Sequence, residues 1–302
     1  MATGQSVEAL GLNRESKLRL LRLLERKVLW LSSWMIHNAN HLRDSRDSLK
    51  VGGHQASSAS VATIMTALYF DLLRPEDRVA VKPHASPVFH AIQYLLGHQG
   101  REPLERFRAL GGAQSYPSRT KDTDDVDFST GSVGLGVAMT AFASLAQDYV
   151  RLKSLAAGGL QSGRMIAIVG DAELDEGNIH EALIESWKHD IRNTWWIIDY
   201  NRQSLDAVVS DRLFMKMAAM FENLGWKVVL LKYGKLLQRA FAEPGGQRLK
   251  QWIDDCPNML YSALVFQGGA AWRRQLEEDL AIHPDALDIV RRHDDAELAR
   301  LM

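Results

Sequence analysis

The sequence lacks the features that mark several classes of protein. Its 302 residues contain one cysteine, Cys256, which excludes an internal disulfide and an all-cysteine metal site and fits a reducing compartment. Its 36 basic and 37 acidic residues give a net charge of −1, without the basic excess of a nucleic-acid-binding protein. No apolar run approaches the roughly 20 residues that span a bilayer, and residues 1–16 have no secretory pattern. We therefore expect a cytoplasmic protein that binds neither nucleic acid nor membrane.

The periodicity of the apolar residues predicts an α/β domain. Residues 165–169, Met-Ile-Ala-Ile-Val, are a short continuous apolar run, which is typical of a strand buried on both faces. Residues 195–198, Trp-Trp-Ile-Ile, predict a second buried strand, and the helical pattern between the two runs completes a strand-helix-strand unit. We therefore predict a doubly wound, mostly parallel sheet with helices on both faces. We divide the chain into an N-terminal helical segment, residues 1–50, and one large domain, residues 51–302.

Further elements follow from helical spacing and from capping or breaking residues. These signals predict helices at residues 15–38, 57–73, 86–96, 134–156, 174–189 and 211–223, mainly helical structure after residue 235, and short strands at 78–81 and 226–231. Residues 111–136 are the longest irregular stretch, and a connection of this length is usually functional or disordered. We interpret its acidic cluster, residues 122–127, as a solvated loop because the carboxylates lack regular cation-ligand spacing.

Candidate ligands follow the two buried strands. Gly170-Asp171-Ala172 comes directly after the first strand, and Asn201 comes shortly after the second. Because ligands of an open parallel sheet bind beyond the carboxyl ends of its strands, these side chains can converge. A carboxylate and an amide oxygen suit Mg²⁺ that is shared with phosphate oxygens, and the start of the next helix favours negative charge. The alternative interpretation is a simple turn and helix cap.

This arrangement resembles the signature of thiamine-diphosphate (ThDP) enzymes of the transketolase and pyruvate dehydrogenase group, a Gly-Asp-Gly turn with a downstream asparagine. Here Asn201 lies thirty residues after Asp171. Other matching stretches are Gly52-Gly53-His54-Gln55-Ala56-Ser57, His84-Ala85-Ser86-Pro87, Ser115-Tyr116-Pro117 and Ser132-Val133-Gly134-Leu135-Gly136. The resemblance, which runs from about residue 15 to the last residue, implies that residues 51–302 form a diphosphate-type ThDP-binding domain with Mg²⁺ and ThDP as cofactors.

The resemblance also assigns the binding residues. It implies that Mg²⁺ is held by the side chains of Asp171 and Asn201 and by the carbonyl of Gln203. The residues that it implies for cofactor binding are Gly134, Leu135, Gly170, Asp171, Ala172 and Asn201. Ala172 stands where most relatives have glycine, and its small methyl group should still allow phosphate to approach. Without the resemblance, Gly134 and Leu135 could equally mark simple packing at a helix start.

The resemblance also implies three catalytic candidates. His54 and His84 match histidines that lie near the diphosphate and the reacting thiazolium carbon, where they can donate hydrogen bonds or protons. Glu176 matches a glutamate that couples paired active sites at a subunit interface. Without the resemblance, either histidine would more often be a structural residue, and a glutamate in the first turn of a helix is usually a dipole partner.

The resemblance leaves three functions open. The four matching stretches are most similar to the homodimeric decarboxylating component of bacterial pyruvate dehydrogenase, whereas the segment from Glu176 to Glu181 is more similar to transketolase. Ser118, which stands where the dehydrogenase pattern has a histidine, weakens the inference about substrate. A non-catalytic module that kept the fold is the third reading.

The family's pyrimidine-binding domain has no recognisable equivalent before Met302. The resemblance therefore implies a pyrimidine-binding domain or subunit as partner, in a dimer or heterotetramer, with a lipoyl acyltransferase as a further partner. We expect the chain to be catalytically inactive alone. Its end without a helix-stop signal predicts a truncated chain or a split gene.

Overall fold

The computed structural model describes residues 11–44, 49–156, 161–201 and 213–302. The chain divides into two compact units, Met1–Asn201 and Arg202–Met302. No helix of the described residues is long and apolar enough to cross a membrane.

The first unit contains all the strands of the described residues. In chain order its elements are α1 (Arg14–His37), α2 (Gln55–Ala67), β1 (Arg78–Ala80), α3 (Ser86–Leu95), α4 (Arg101–Glu105), α5 (Leu135–Leu152), β2 (Met165–Gly170), α6 (Gly177–Lys188) and β3 (Thr194–Asp199). Short π-helical turns extend α1 and α2, and 3₁₀ turns precede α3 and α6. The predicted helix over 174–189 is therefore a 3₁₀ turn followed by α6, because Glu176 takes an extended conformation between them.

The strands form a parallel sheet in the order β1-β2-β3. All six residues of β2 are buried, as its continuous apolar run predicts. The prediction that β3 is equally buried is wrong. Within the described residues β3 is an edge strand, and its Trp195 is 43% exposed. Its apolar run looks like that of β2, but only β2 has a neighbouring strand on both sides.

Helices cover both faces of the sheet, and the predicted fold class is confirmed. On one face, Ile166 and Ile168 of β2 join a core with apolar side chains of α1, α2 and α3. On the other face lies α5. The indole N–H of Trp196 in β3 donates a 3.1 Å hydrogen bond to the hydroxyl of Thr140 in α5. Gly136 lets α5 approach closely, because a methyl group there would lie 2.7 Å from Thr130 and 3.5 Å from the Ala80 methyl.

The second unit is helical in its described residues. Its helices are α7 (Leu213–Asn223), α8 (Lys235–Phe241), α9 (Gly246–Asp255), α10 (Asn258–Gln267), α11 (Gly269–Asp279), α12 (Pro284–Arg291) and α13 (Asp295–Leu301). Helices α8 to α13 pack around a core that contains Trp272, which is 1% exposed. Cys256 is 3% exposed in this unit.

The strand predicted at 226–231 is absent. This segment follows α7 without regular secondary structure, and Leu231 is 91% exposed. Its β-branched and aromatic residues favour a strand, but the described part of this unit contains no other strand to pair with it. The start of the helix predicted at 211–223 lies outside the described residues.

Candidate functional site: the carboxyl edge of the sheet

The two histidines singled out from the sequence lie against each other. His54 precedes α2, after the turn at Gly52-Gly53, and His84 lies in the 3₁₀ turn Pro83–Ala85 that follows β1. Their rings stack with centroids 3.9 Å apart, and the Tyr116 ring lies 6.1 Å from His84. His54 is exposed and His84 is half-buried, so the pair is open to a ligand.

Burial and neighbouring positive charge keep both imidazoles neutral at neutral pH. Burial lowers the pKa of His84 to about 4, helped by His54, Lys82 and Arg108. The pKa of His54 is also lowered, first by burial and then by Arg108 and Lys82. A neutral imidazole can accept a proton through one nitrogen and donate an N–H through the other. The pair is therefore suited to proton transfer or to hydrogen bonding with a polar ligand.

Two of the three predicted metal ligands, Asp171 and Asn201, lie at one edge of the sheet. Gly170 is the last residue of β2 and pairs in register with Asp199, the last residue of β3. Asp171, which is 7% exposed, caps the following 3₁₀ turn by accepting a 3.1 Å hydrogen bond from the Ala172 amide. Asn201 follows β3, and its backbone N–H donates to the Asp199 carbonyl at 3.2 Å. The structure thus brings Asp171 and Asn201 to neighbouring strand ends.

The remaining predicted metal ligand, Gln203, lies outside the described residues. Carboxylate and amide oxygens at neighbouring strand ends are hard oxygen ligands of the kind that Mg²⁺ takes in proteins.

A buried ion pair that the sequence reasoning missed links this edge to the histidines. Lys82 Nζ donates to Asp199 Oδ2 at 2.7 Å, and the Ser60 hydroxyl donates to the same oxygen at 2.6 Å. Lys82 is 6% exposed, and a methyl group on Gly170 would lie 3.5 Å from its side chain. The position of Lys82, two residues after β1 and therefore at the same carboxyl edge, was the available signal.

The loop before α5 approaches the same edge. Gly134 caps α5 with a φ of +78°, in the left-handed region, and a methyl group there would lie 2.4 Å from Asn178 Oδ1 and 2.9 Å from Glu176 Cβ. Glu176 and Asn178 belong to the start of α6, so the beginnings of α5 and α6 are in contact at Gly134. Leu135, the first residue of α5, is 43% exposed. Glycine is required at 134 both by the backbone angle and by the close contact.

Glu173 is a second residue that the sequence reasoning missed. It is 6% exposed in the 3₁₀ turn after Asp171. Its Oε1 accepts the Gly134 amide at 2.7 Å and its Oε2 accepts the Gly170 amide at 3.1 Å. Burial raises its pKa, although the two amides and Lys82 act in the opposite direction. Its place directly after the Gly-Asp-Ala turn was a signal that the carboxylate lies at this edge.

The acidic cluster of the long loop is solvated only in part: Asp125 is exposed, but the interpretation was wrong for Asp122 and Asp124. Asp124 is 8% exposed, and its Oδ2 lies 2.8 Å from Nδ1 of the fully buried His90. Asp122 accepts the amides of Gln114 and Ser118 at 2.9 and 2.7 Å. These contacts fold the carboxylates inward, where hydrogen bonds offset the cost of their burial.

The same cluster could be taken for a metal site. Ligand atoms of His90, Asp122 and Asp124 lie within 4.8 Å of one another. However, the second ring nitrogen of His90 lies 3.0 Å from the Gln114 carbonyl oxygen, so both nitrogens already face protein acceptors. Burial alone would lower the pKa of His90, but Asp124, Asp122 and that carbonyl outweigh it and raise the pKa. The arrangement is a buried ion pair that anchors the loop carrying Tyr116.

Comparison with known proteins gives consistent matches. Residues 48–241 match the family model described as "Transketolase, thiamine diphosphate binding domain". The pyruvate dehydrogenase E1 component of Escherichia coli K12 is 27% identical over 260 residues, which cover 82% of this chain and 29% of that protein. The protein of the same name from Pseudomonas aeruginosa is 26% identical over 289 residues, covering 92% of this chain and 32% of that protein. The chain thus spans about a third of the length of these relatives.

Solved structures of transketolases share the fold. A transketolase from Campylobacter jejuni superposes with a TM-score of 0.57 at 23% identity, over 70% of this chain and 33% of that chain. A transketolase mutant from Pichia stipitis gives a TM-score of 0.59 at 20% identity, over 70% of this chain and 32% of that chain.

Proposed function

The chain belongs to the family of transketolase thiamine diphosphate binding domains, and from this premise we propose that it is the Mg²⁺- and ThDP-binding half of a pyruvate dehydrogenase decarboxylating component. The observation that carries the proposal is the convergence of Gly170-Asp171 and Asn201 at neighbouring strand ends. His84 follows the carboxyl end of the remaining strand, β1, and the ring of His54 stacks on it.

The residues present fit the two cofactors. Asp171 and Asn201 offer oxygens for Mg²⁺, and the proposal adds the carbonyl of Gln203 as the third protein ligand. The diphosphate would lie beside Gly134, Leu135, Gly170 and Ala172. A buried acceptor next to Gly134, Asn178 Oδ1, has no hydrogen-bond partner among the described residues, which is unusual for a buried polar atom and suits a ligand donor.

The protein groups around the cofactor would bind, orient and move protons. When bound, ThDP would supply a nucleophilic thiazolium carbon, the chemistry that decarboxylation of a 2-oxo acid requires. His54 and His84, neutral at neutral pH, can hold a proton or donate a hydrogen bond beside the reacting groups. Lys82 and Asp199 neutralise each other at this buried edge. Glu176, at the start of α6, would couple two active sites across a subunit interface.

The choice of pyruvate rests on sequence. The relatives that cover most of this chain are named pyruvate dehydrogenase E1 component. The competing function is transfer of a two-carbon ketol unit by a transketolase, which the segment from Glu176 to Glu181 favours. A module that binds no cofactor is the third possibility.

The proposal includes a partner, because the chain spans about a third of its relatives. A pyrimidine-binding domain, on the same polypeptide or on another subunit, would complete the active site in a dimer or heterotetramer. A lipoyl acyltransferase would take the acyl group, and the enzyme would work in the cytoplasm.

Product analysis tests this function. The chain, purified with its pyrimidine-binding partner, is incubated with ThDP and Mg²⁺ and given either pyruvate with an artificial electron acceptor or a ketose phosphate with an aldose phosphate. Release of CO₂ from pyruvate supports the proposal, and ketol transfer supports the transketolase alternative. A complex that binds ThDP and turns over neither substrate contradicts both. His84→Gln serves as the active-site control and should lower turnover by roughly 10²-fold.

A further inference from the structure

Glu173 joins two separate pieces of backbone at the edge of the sheet. One carboxylate oxygen accepts the amide of Gly134, before α5, and the other accepts the amide of Gly170, at the end of β2. The two glycines lie 36 residues apart in the chain, so no local turn sets their spacing. In the described structure this carboxylate is what ties the Gly134 loop to the strand end through hydrogen bonds to both amides.

This position is costly for an acid, which argues that the two bonds matter. Glu173 is 6% exposed, and its nearest source of positive charge, Lys82, is already paired with Asp199. A buried carboxylate persists where hydrogen bonds to its charged form replace the lost hydration. Glutamine, the neutral side chain of the same shape, has one carbonyl oxygen and one NH₂ group. One of the two backbone N–H groups would then face another donor instead of an acceptor.

The bridge also decides which groups are available to a ligand. While Glu173 holds the amides of Gly134 and Gly170, these two N–H groups cannot donate to a phosphate. The same hydrogen bond holds the left-handed backbone of Gly134, which lies beside Asn178. The ligand therefore meets a loop whose distance from the strand end is fixed in advance.

We propose that Glu173 is a positioning residue for the diphosphate site, which it builds by bridging the amides of Gly134 and Gly170. The inference rests on the proposed function, because the ligand of this edge is the diphosphate of ThDP with Mg²⁺. It adds a residue that does not itself contact the ligand and acts through the two glycines.

The test compares Glu173→Gln with Asp175→Asn, a matched loss of a carboxylate from an exposed position two residues further along. Hydrogen exchange of the Gly134 and Gly170 amides is measured without ligand, and calorimetric titration of ThDP with Mg²⁺ follows. The loss of one charge-assisted hydrogen bond should speed exchange of at least one of the two amides, and weaken ThDP binding, by about tenfold. Asp175→Asn should change neither.

The outcomes separate this inference from the function on which it rests. If the wild-type chain with its partner binds no ThDP, the proposed function fails, whereas the exchange data still report on the bridge. If the wild type binds and the Gln variant binds equally well, the positioning role is wrong. Should the Gln variant unfold, Glu173→Asp keeps the charge but is one methylene too short to reach both amides. This variant must then show the same local exchange and weakened binding, and wild-type affinity in it would overturn the inference.

Discussion

Replacing Gly134 by alanine should destabilise the first unit because two separate features of the structure require glycine there. The backbone angle φ of +78° is one that alanine rarely adopts. The added methyl group would lie 2.4 Å from Asn178 Oδ1 and 2.9 Å from Glu176 Cβ, both closer than van der Waals contact allows. The start of α6 must therefore move, or the loop must leave the left-handed region.

The size of the effect follows from these two terms. A non-glycine residue in the left-handed region costs about 1 kcal/mol, and overpacking at a tight contact costs about 1–3 kcal/mol. We therefore expect Gly134→Ala to lower the free energy of unfolding by about 2–4 kcal/mol. With a urea dependence of about 2 kcal/mol per molar, the unfolding midpoint should fall by about 1–2 M.

The matched control is Gly177→Ala, in the first turn of α6. A methyl group at 177 meets nothing within 4 Å and the backbone angle is unrestricted, so this change should be neutral or stabilising by up to about 1 kcal/mol. Urea unfolding followed by circular dichroism compares the two variants with the wild type. Equal stability of the Gly134 and Gly177 variants would refute the reasoning.

Three further predictions concern buried groups elsewhere. Asp124→Asn removes the carboxylate that raises the pKa of His90. A raised histidine pKa contributes stability that is complete below about pH 6.5 and is lost as the pH rises through the pKa of the folded state. In urea unfolding, the variant should therefore lose about 3 kcal/mol of unfolding free energy at pH 6 and less at pH 9. Equal losses at the two pH values would contradict the ion pair. Ile168→Ala, at a position that is 1% exposed in β2, should cost about 2–5 kcal/mol, and a loss below 1 kcal/mol would contradict the described core. Gly269→Ala places a methyl group 1.7 Å from the Asp295 carbonyl oxygen and should lower the melting temperature of the helical unit by several degrees, with normal melting counting against this packing.

The sequence was sufficient to predict the structure where a local pattern is compatible with only one structure. The apolar run of β2 could be placed within a residue because it ends at a Gly-Asp turn. Asp171 and Asn201 could be placed at one edge because parallel strands end on the same side. The resemblance assigned His54 and His84 to the surroundings of one cofactor, but their stacking was not predicted, since nothing local relates residues thirty positions apart.

The sequence was insufficient where partners distant in the chain decide the outcome. Residues 226–231 have strand propensity, but pairing needs a second strand, and the described residues of their unit contain none. The bond between Lys82 and Asp199 joins residues 117 positions apart, and the inward folding of Asp124 depends on His90. Charge patterns alone predict solvation for such groups, because the pairing that offsets burial is visible only after the chain has folded.

The central claim is that the strand-end edge binds Mg²⁺ and ThDP, and calorimetric titration of ThDP into the chain with its pyrimidine-binding partner tests it most directly. The titration is run with and without Mg²⁺, on the wild type, on Asp171→Ala and on Asp175→Ala as the matched control. The account predicts saturable, Mg²⁺-dependent binding that Asp171→Ala abolishes and Asp175→Ala leaves unchanged. Absence of binding in a folded complex, or unchanged binding by Asp171→Ala, would contradict it.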